Sequence, residues 1–322
     1  ASLLVGMLSA LTAIVSAATV SVGFVGYLSE LLSIPTFVAL FLVVGSVGGL
    51  AAWGVRESVI VAGAITIIEV SGLVAIVAFG AVHLSGETID ALRLIPTDFV
   101  GTEWIALMSA TVLGFFAFLG FEDMVNVAEE VKSARTALPR AILWTLGLST
   151  ALYVSVSAVA VLVVPPDVLG TSSAPLSLVF ERSGGSGELL ALIALAAMLN
   201  GALVQIIMAS RILFSLSRNG PLPNWLGQVH AVRRTPIRAT FVVSSLVASF
   251  AVALPLESLA SATAAIALSV FTLVNLSLFV LRMRTRLDAR SSEDLVPIWV
   301  PVLGVLFSSG LLLFEVSNRL QS

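Results

Sequence analysis

Apolar runs of membrane-spanning length recur along the chain, near residues 1–30, 34–55, 58–83, 104–129, 139–164, 188–215, 238–257, 261–281 and 296–317. A transmembrane helix needs about 20 mostly apolar residues to cross the hydrocarbon core of a bilayer. Inside lipid the backbone must satisfy its own polar groups, and a run of that length does so as a helix. With 58% hydrophobic and only 11% charged residues, the chain falls far below the roughly 25% charge of a soluble domain. The expected fold is an all-α polytopic membrane protein of nine spans with no sizeable soluble domain.

Charge sets the threading. If spans alternate, one set of connections holds Arg56, Lys132, Arg135, Arg140, Arg218, Arg233, Arg234, Arg238, Arg282, Arg284, Arg286 and Arg290, with Arg211 just inside that end. The other set holds Arg93, Arg182 and Arg319. The positive-inside rule makes the first set cytoplasmic. Tyr27, Trp53, Trp104, Trp225 and Trp299 fall near span ends, where aromatic rings favour the headgroup level. The longer outer connections, about 84–103 and 165–187, read as solvated loop. The chain begins at Ala1 without a basic lead-in, so residues 1–30 read as a true span rather than a signal peptide, in a chain expected to be incomplete at its N-terminus.

Several chemistries lack their residues. There is no cysteine, and the two histidines, His83 and His230, are far apart in sequence, so neither a thiol nucleophile nor a metal site is expected. No phosphate-cradling loop occurs, and the basic residues sit where membrane topology wants them, so neither nucleotide nor nucleic-acid binding is expected. No cofactor is implied.

One span departs from simple anchoring. In FFAFLGFEDMVNVAEEVKSARTALPR, residues 115–140, Gly114 and Gly120 bracket an aromatic run, and Glu122, Asp123, Glu129 and Glu130 follow. Glycine costs about 1 kcal/mol in a helix interior relative to alanine, so this pair permits a break. A broken helix frees carbonyls and amides, tolerable in a membrane only where they line a cavity, and transporters use such groups to hold charged substrates. The alternative is that Gly120 lets two helices approach closely. Pro139 suits the first turn of the next helix, where its missing N–H is harmless.

Residues 115–142 resemble the sixth-helix signature of the amino acid-polyamine-organocation superfamily of permeases, in its bacterial amino-acid permease type. RILFSLSRNGPLPNWLGQVHAVRRTPIRA, residues 211–239, is similar to that family's eighth helix and following loop, and GVRES at 54–58 resembles its fourth-to-fifth helix junction. The resemblance implies an inverted-repeat, leucine-transporter-like fold. Residues 1–84 are then the remainder of the first repeat (helices three to five), 85–103 an extracellular loop, 104–284 the second repeat (helices six to ten), and 285–322 the eleventh helix and chain end. The family's first, second and last helices are missing from such an alignment, including the glycine-rich break of its first helix.

By the same resemblance, the backbone at Phe116, Ala117 and Leu119 is expected to receive a substrate amino group. Gly120 permits the unwinding, and Phe118 or Phe121 gates the site. The competing reading of these phenylalanines is core or lipid packing. Glu69 is unusual without any resemblance, because AITIIEVSGLVAIV flanks it with uncharged residues and an ionised carboxylate at mid-bilayer costs roughly 2.5–3.5 kcal/mol. It is a candidate proton-coupling site, with mid-span Asn200 as partner and Gln205 a weaker one. The structural alternative is a permanently protonated acid hydrogen-bonded to a neighbouring helix. Glu122 and Asp123 either couple protons or stabilise an inner half-helix, and Glu129 and Glu130 read as gate or structural charges. Arg211 either snorkels or pairs with an inner-gate acid such as Glu130.

The expected function is a secondary transporter of the cytoplasmic membrane. It moves amino acids with protons by alternating access, its partners being the substrate, protons and membrane lipid. Exchange of one amino acid for another, a polyamine substrate, a membrane-embedded enzyme and a non-transporting truncated module are the alternatives.

Overall fold

The computed structural model describes residues 2–54, 59–86, 94, 102–121, 131, 133–220, 222–287 and 297–321. Among them are eleven α-helices and no strand: α1 (Ser2–Ser29), α2 (Thr36–Trp53), α3 (Val59–Ser85), α4 (Thr102–Ala117), α5 (Ala134–Val163), α6 (Pro166–Thr171), α7 (Pro175–Arg182), α8 (Gly187–Asn219), α9 (Ile237–Ala253), α10 (Leu256–Leu287) and α11 (Trp299–Gln321). Seven are long and apolar enough to cross a membrane, and the apolar stretches Trp104–Ala117 of α4 and Ile237–Ala253 of α9 are shorter. Each of the nine expected spans overlaps one of these helices. The chain is thus an all-α polytopic membrane protein.

The main core lies where α1, α2, α8 and α9 meet. Ala13, Ala17, Ala18, Ala202, Ala209 and Ala239 are buried there beside Val43, Val47, Ile206, Val243 and Val247. Small side chains let helix axes come close, which matters in lipid, where helices gain little from hiding apolar surface and associate through packing instead. Helix α1 is the hub: it packs against α2, α8, α9 and α10. The hydroxyls of Thr12, Thr19 and Ser21 need no outside partner, because they donate to the carbonyls of Leu8, Val15 and Ala17 one turn back. A second cluster joins α3, α5 and α7 through Ile76, Val156, Val159, Val179 and Phe180. Phe79 and Phe180 meet there with ring centroids 5.0 Å apart. Large apolar side chains such as Phe37, Leu42, Leu148, Phe241 and Phe307 remain exposed, as lipid-facing positions should.

Four expectations change. The span read as 104–129 ends as a helix at Ala117, and residues 122–130 lie outside the described residues. The connection 165–187 is not plain loop but holds α6 and α7, each started by a proline at its first turn, and α7 buries Val179 and Phe180 in the second cluster. Tyr27 is not a headgroup ring: it is buried, and its hydroxyl oxygen accepts from the backbone of Leu176, docking α7 on α1. Trp53, Trp104, Trp225 and Trp299 stay exposed. Pro139 lies inside α5 rather than at its first turn, because Ser133, in the left-handed region at φ 57°, starts that helix five residues earlier than the apolar run does.

Candidate functional site

Helix α4 stops in mid-sequence of its apolar run. Its last carbonyls close a tight turn, Phe118 N–H donating to Phe115 O and Leu119 N–H to Phe116 O, both at 3.1 Å. The next residue, Gly120, has φ 119°, a conformation L side chains rarely adopt. A Cβ there would meet none of the described residues within 4 Å, so the positive φ is what favours glycine at this position.

What surrounds the turn is aromatic. Tyr153 of α5 donates its hydroxyl to the Ala117 carbonyl at 3.0 Å, and its ring meets Phe118 edge-on at 5.2 Å. Phe271 of α10 meets Phe115 edge-on and Phe121 at a tilt, each at 5.7 Å. Phe116, Phe118, Leu119, Gly120 and Phe121 are half-buried and Ala117 is exposed. A carbonyl oxygen has two lone pairs, so Ala117 O keeps one beyond the Tyr153 bond. Sequence reasoning passed over Tyr153 and Phe271. For Tyr153 the signal was there: it is one of two tyrosines in the chain, and a phenol in mid-span needs a hydrogen-bond partner.

Glu69 and Asn200 are brought together. Glu69 is half-buried on α3, and the Asn200 side chain of α8 hydrogen-bonds its carboxyl. Glu69 Oε1 and Asn200 Oδ1 are both left buried with no partner. These leftovers are acceptors, so no bond can form between them unless a proton is added; one proton on Oε1 would supply the missing donor. This pair lies between α3 and α8, whereas the α4 turn packs among α5 and α10.

The remaining expected residues are dispersed. Arg211 is exposed, lining a cavity of about 390 Å³ with Arg233, Arg234 and Thr235. Thr235 donates to the Ala52 carbonyl at 2.8 Å, and the Arg233 guanidinium stacks over Trp53 at 4.8 Å, tying the loop before α9 to the end of α2. Glu122, Asp123, Glu129 and Glu130 lie outside the described residues, as does any pairing of Arg211 with Glu130. Among the described residues no group of three or more His, Asp or Glu converges to hold a metal ion.

Comparison with known proteins adds the family. A family model described as amino acid permease matches residues 1–320. The branched-chain amino acid permease BcaP of Bacillus subtilis (strain 168) is 31% identical over 277 residues, 85% of this chain and 58% of its own length. A cationic amino acid transporter of Arabidopsis thaliana, named as mitochondrial, is 31% identical over 240 residues, covering 73% of this chain and 39% of its own. The methylthioribose transporter of Bacillus subtilis is 30% identical over 207 residues, covering 63% and 44%. The chain spans about half the length of these relatives, all of which are permeases or transporters and none an enzyme. From the whole-length match, the chain belongs to the amino acid permease family of the amino acid-polyamine-organocation superfamily.

Proposed function

We propose that the full-length protein is a proton-coupled amino-acid permease of the cytoplasmic membrane, working by alternating access. In this reading its arginine-rich loops face the cytoplasm. The observation that carries it is the interruption of α4 at Ala117, with Gly120 at φ 119°, in a chain of this family. A substrate ammonium donates to the carbonyls of Phe116, Ala117 and Leu119, using on the first two the lone pair left beside the Leu119 and Tyr153 bonds, and Phe118 and Phe121 close over it. The block of α1, α2, α8 and α9 serves as the fixed scaffold, and α4 belongs to the part that moves against it. Residues 1–84 and 104–284 then belong to two inverted repeats, α1 and α2 corresponding to α8 and α9.

Glu69 is the coupling site, supported by its contact with Asn200 and by the buried Oε1 and Asn200 Oδ1, two acceptors left without a donor that a proton would supply. When the proton leaves, the Asn200 amide still donates to the carboxylate, but Glu69 Oε1 and Asn200 Oδ1 are left as buried acceptors with no donor, and that unmet pair is what strains the α3–α8 contact. Glu122 is a second coupling candidate, and Glu129, Glu130 and Arg211 are gate charges. Substrates range over amino acids and polyamines.

The test is amino-acid uptake into vesicles holding the full-length protein, with and without an inward proton gradient, for wild type and Glu69→Gln. Gradient-driven uptake should fall at least tenfold in the variant, because glutamine keeps the hydrogen bond but carries no proton. Uptake indifferent to both gradient and substitution would sink the assignment and leave exchange or facilitated diffusion, with Glu69 a structural acid.

A further inference from the structure

The cavity lined by Arg211, Arg233 and Arg234 is fixed to the end of α2 by its own backbone. Gly54 ends α2 at φ 85° and lets the loop before α9 come close, since a Cβ there would press to 2.8 Å from the Thr235 methyl. Arg234, itself in the left-handed region at φ 54°, donates its backbone N–H to the His230 carbonyl at 2.9 Å. With the Thr235–Ala52 bond and Arg233 stacked over the exposed Trp53, these contacts hold three arginines around one space. No acid lines it, and among the described residues no carboxylate pairs with any of the three guanidinium groups. Like charges held together repel, and a concave patch of one sign draws the opposite one.

A second cavity, of about 430 Å³, begins beside the first and shares Thr240 with it. It runs between α2 and α9, and its lining includes Phe41, Gly45, Gly49, Phe241, Ser245 and Ala248. Gly45 and Gly49 are exposed, and a Cβ on either would meet none of the described residues within 4 Å. The two glycines therefore leave room on the flank of α2. The hydroxyls of Thr240 and Ser245 are turned inward, donating to the carbonyls of Pro236 and Phe241, so the groove is apolar in practice. From Ala52 back to Phe41 it follows α2 for roughly 16 Å at 1.5 Å per residue. One leaflet of hydrocarbon is about 15 Å deep, half of a core of about 30 Å. The groove has the length and polarity of one acyl chain, with arginines at its mouth.

We propose that the two cavities are one site for a phospholipid with an anionic headgroup, its phosphate on Arg233 and Arg234 and one acyl chain along the α2–α9 groove. A guanidinium matches phosphate oxygens two at a time, and Trp53 stands at the mouth, where aromatic rings favour the headgroup level. Basic pockets between helices on the cytoplasmic side fit such headgroups, and the threading above puts these arginines on that side. A second copy of the chain seated in the groove would account for the open glycines but leave the arginines without an anion. Bound there, the lipid joins the end of α2 to the start of α9 and the loop before it. The site needs neither Glu69 nor the α4 turn, so it stands or falls apart from the transport reading.

Native mass spectrometry on the full-length protein in neutral detergent tests it, with phosphatidylglycerol and phosphatidylcholine of identical chains as probes. Wild type should hold phosphatidylglycerol about tenfold more tightly, and the preference should shrink as salt rises. Arg233→Gln/Arg234→Gln should cut phosphatidylglycerol affinity about tenfold or more and leave phosphatidylcholine unchanged. Gly49→Leu, which fills the groove with a better helix former, should weaken both lipids. Glycerol 3-phosphate in excess should displace little, because it brings the phosphate without the chain. If it displaces phosphatidylglycerol fully while Gly49→Leu changes nothing, the arginines form a site for free phosphate and the proposal falls. It falls equally if Gly49→Leu spares lipid binding and turns a dimer into monomers, since the groove then holds a second copy. The two-lipid comparison and its salt dependence are read on wild type, so a variant that fails to fold does not shelter the proposal: wild type with no preference for phosphatidylglycerol overturns it.

Discussion

The block of α1, α2, α8 and α9 and the surroundings of α4 are built on opposite terms. In the block, alanines and valines at or near zero exposure bring helix backbones close. Around α4, Val112 is fully buried while Trp104, Ile105 and Leu107 are exposed, and the helix end is held by large rings 5.2 to 5.7 Å apart and one phenol–carbonyl bond. Small residues interlock at fixed separation; aromatic rings tolerate sliding and tilting at little expense. A molecule with both has one part suited to staying rigid and another suited to moving.

That contrast can be broken by substitution. The largest effect is expected at the hub, where Ala17→Phe forces a ring into a site with no exposure. Overpacking of this kind costs typically 1–3 kcal/mol, read as a lower thermal midpoint in detergent. A stable, active Ala17→Phe would mean the block is not close-packed in the bilayer. Next comes Gly120→Ala, whose methyl meets none of the described residues within 4 Å but strains a positive φ by roughly 1–2 kcal/mol. Uptake should suffer far more than melting temperature does, and the reverse ratio would make the turn a folding element. The smallest is Tyr153→Phe, which removes one interhelical hydrogen bond worth about 0.6 kcal/mol in membranes. A cysteine placed at position 117 should then label faster. Unchanged labelling would show that the rings alone hold the helix end.

The spans were legible because lipid imposes a length and a polarity that few sequences meet by accident: residues 34–55 became Thr36–Trp53, and 188–215 became Gly187–Asn219. Helix α7 was hidden because its apolar residues, Leu176, Leu178, Val179 and Phe180, are too few to announce a helix, and Val179 and Phe180 are buried by tertiary contact with α3, α5 and α8. Tyr27 misled for a similar reason. Its place near a span end suggested lipid headgroups, whereas in the fold it is buried as part of the main core. At the α4 turn, the glycine and aromatic composition pointed to the break, whereas Phe271 comes from a helix some 150 residues away and leaves no local trace. The Glu69–Asn200 pairing was within reach because each is a rare polar group in an apolar run and has few other places to turn.

The self-sufficient hydroxyls of α1 bear on how the protein is made. Its main partner, α8, begins at residue 187, and at roughly 5–20 residues per second of synthesis α1 waits some ten to thirty seconds in the bilayer before α8 arrives. A helix whose buried Thr19 and Ser21 needed bonds from another helix would spend that time with unmet donors, open to wrong neighbours. Because each already bonds its own backbone, α1 can sit in lipid before α8 exists without leaving those two donors unmet.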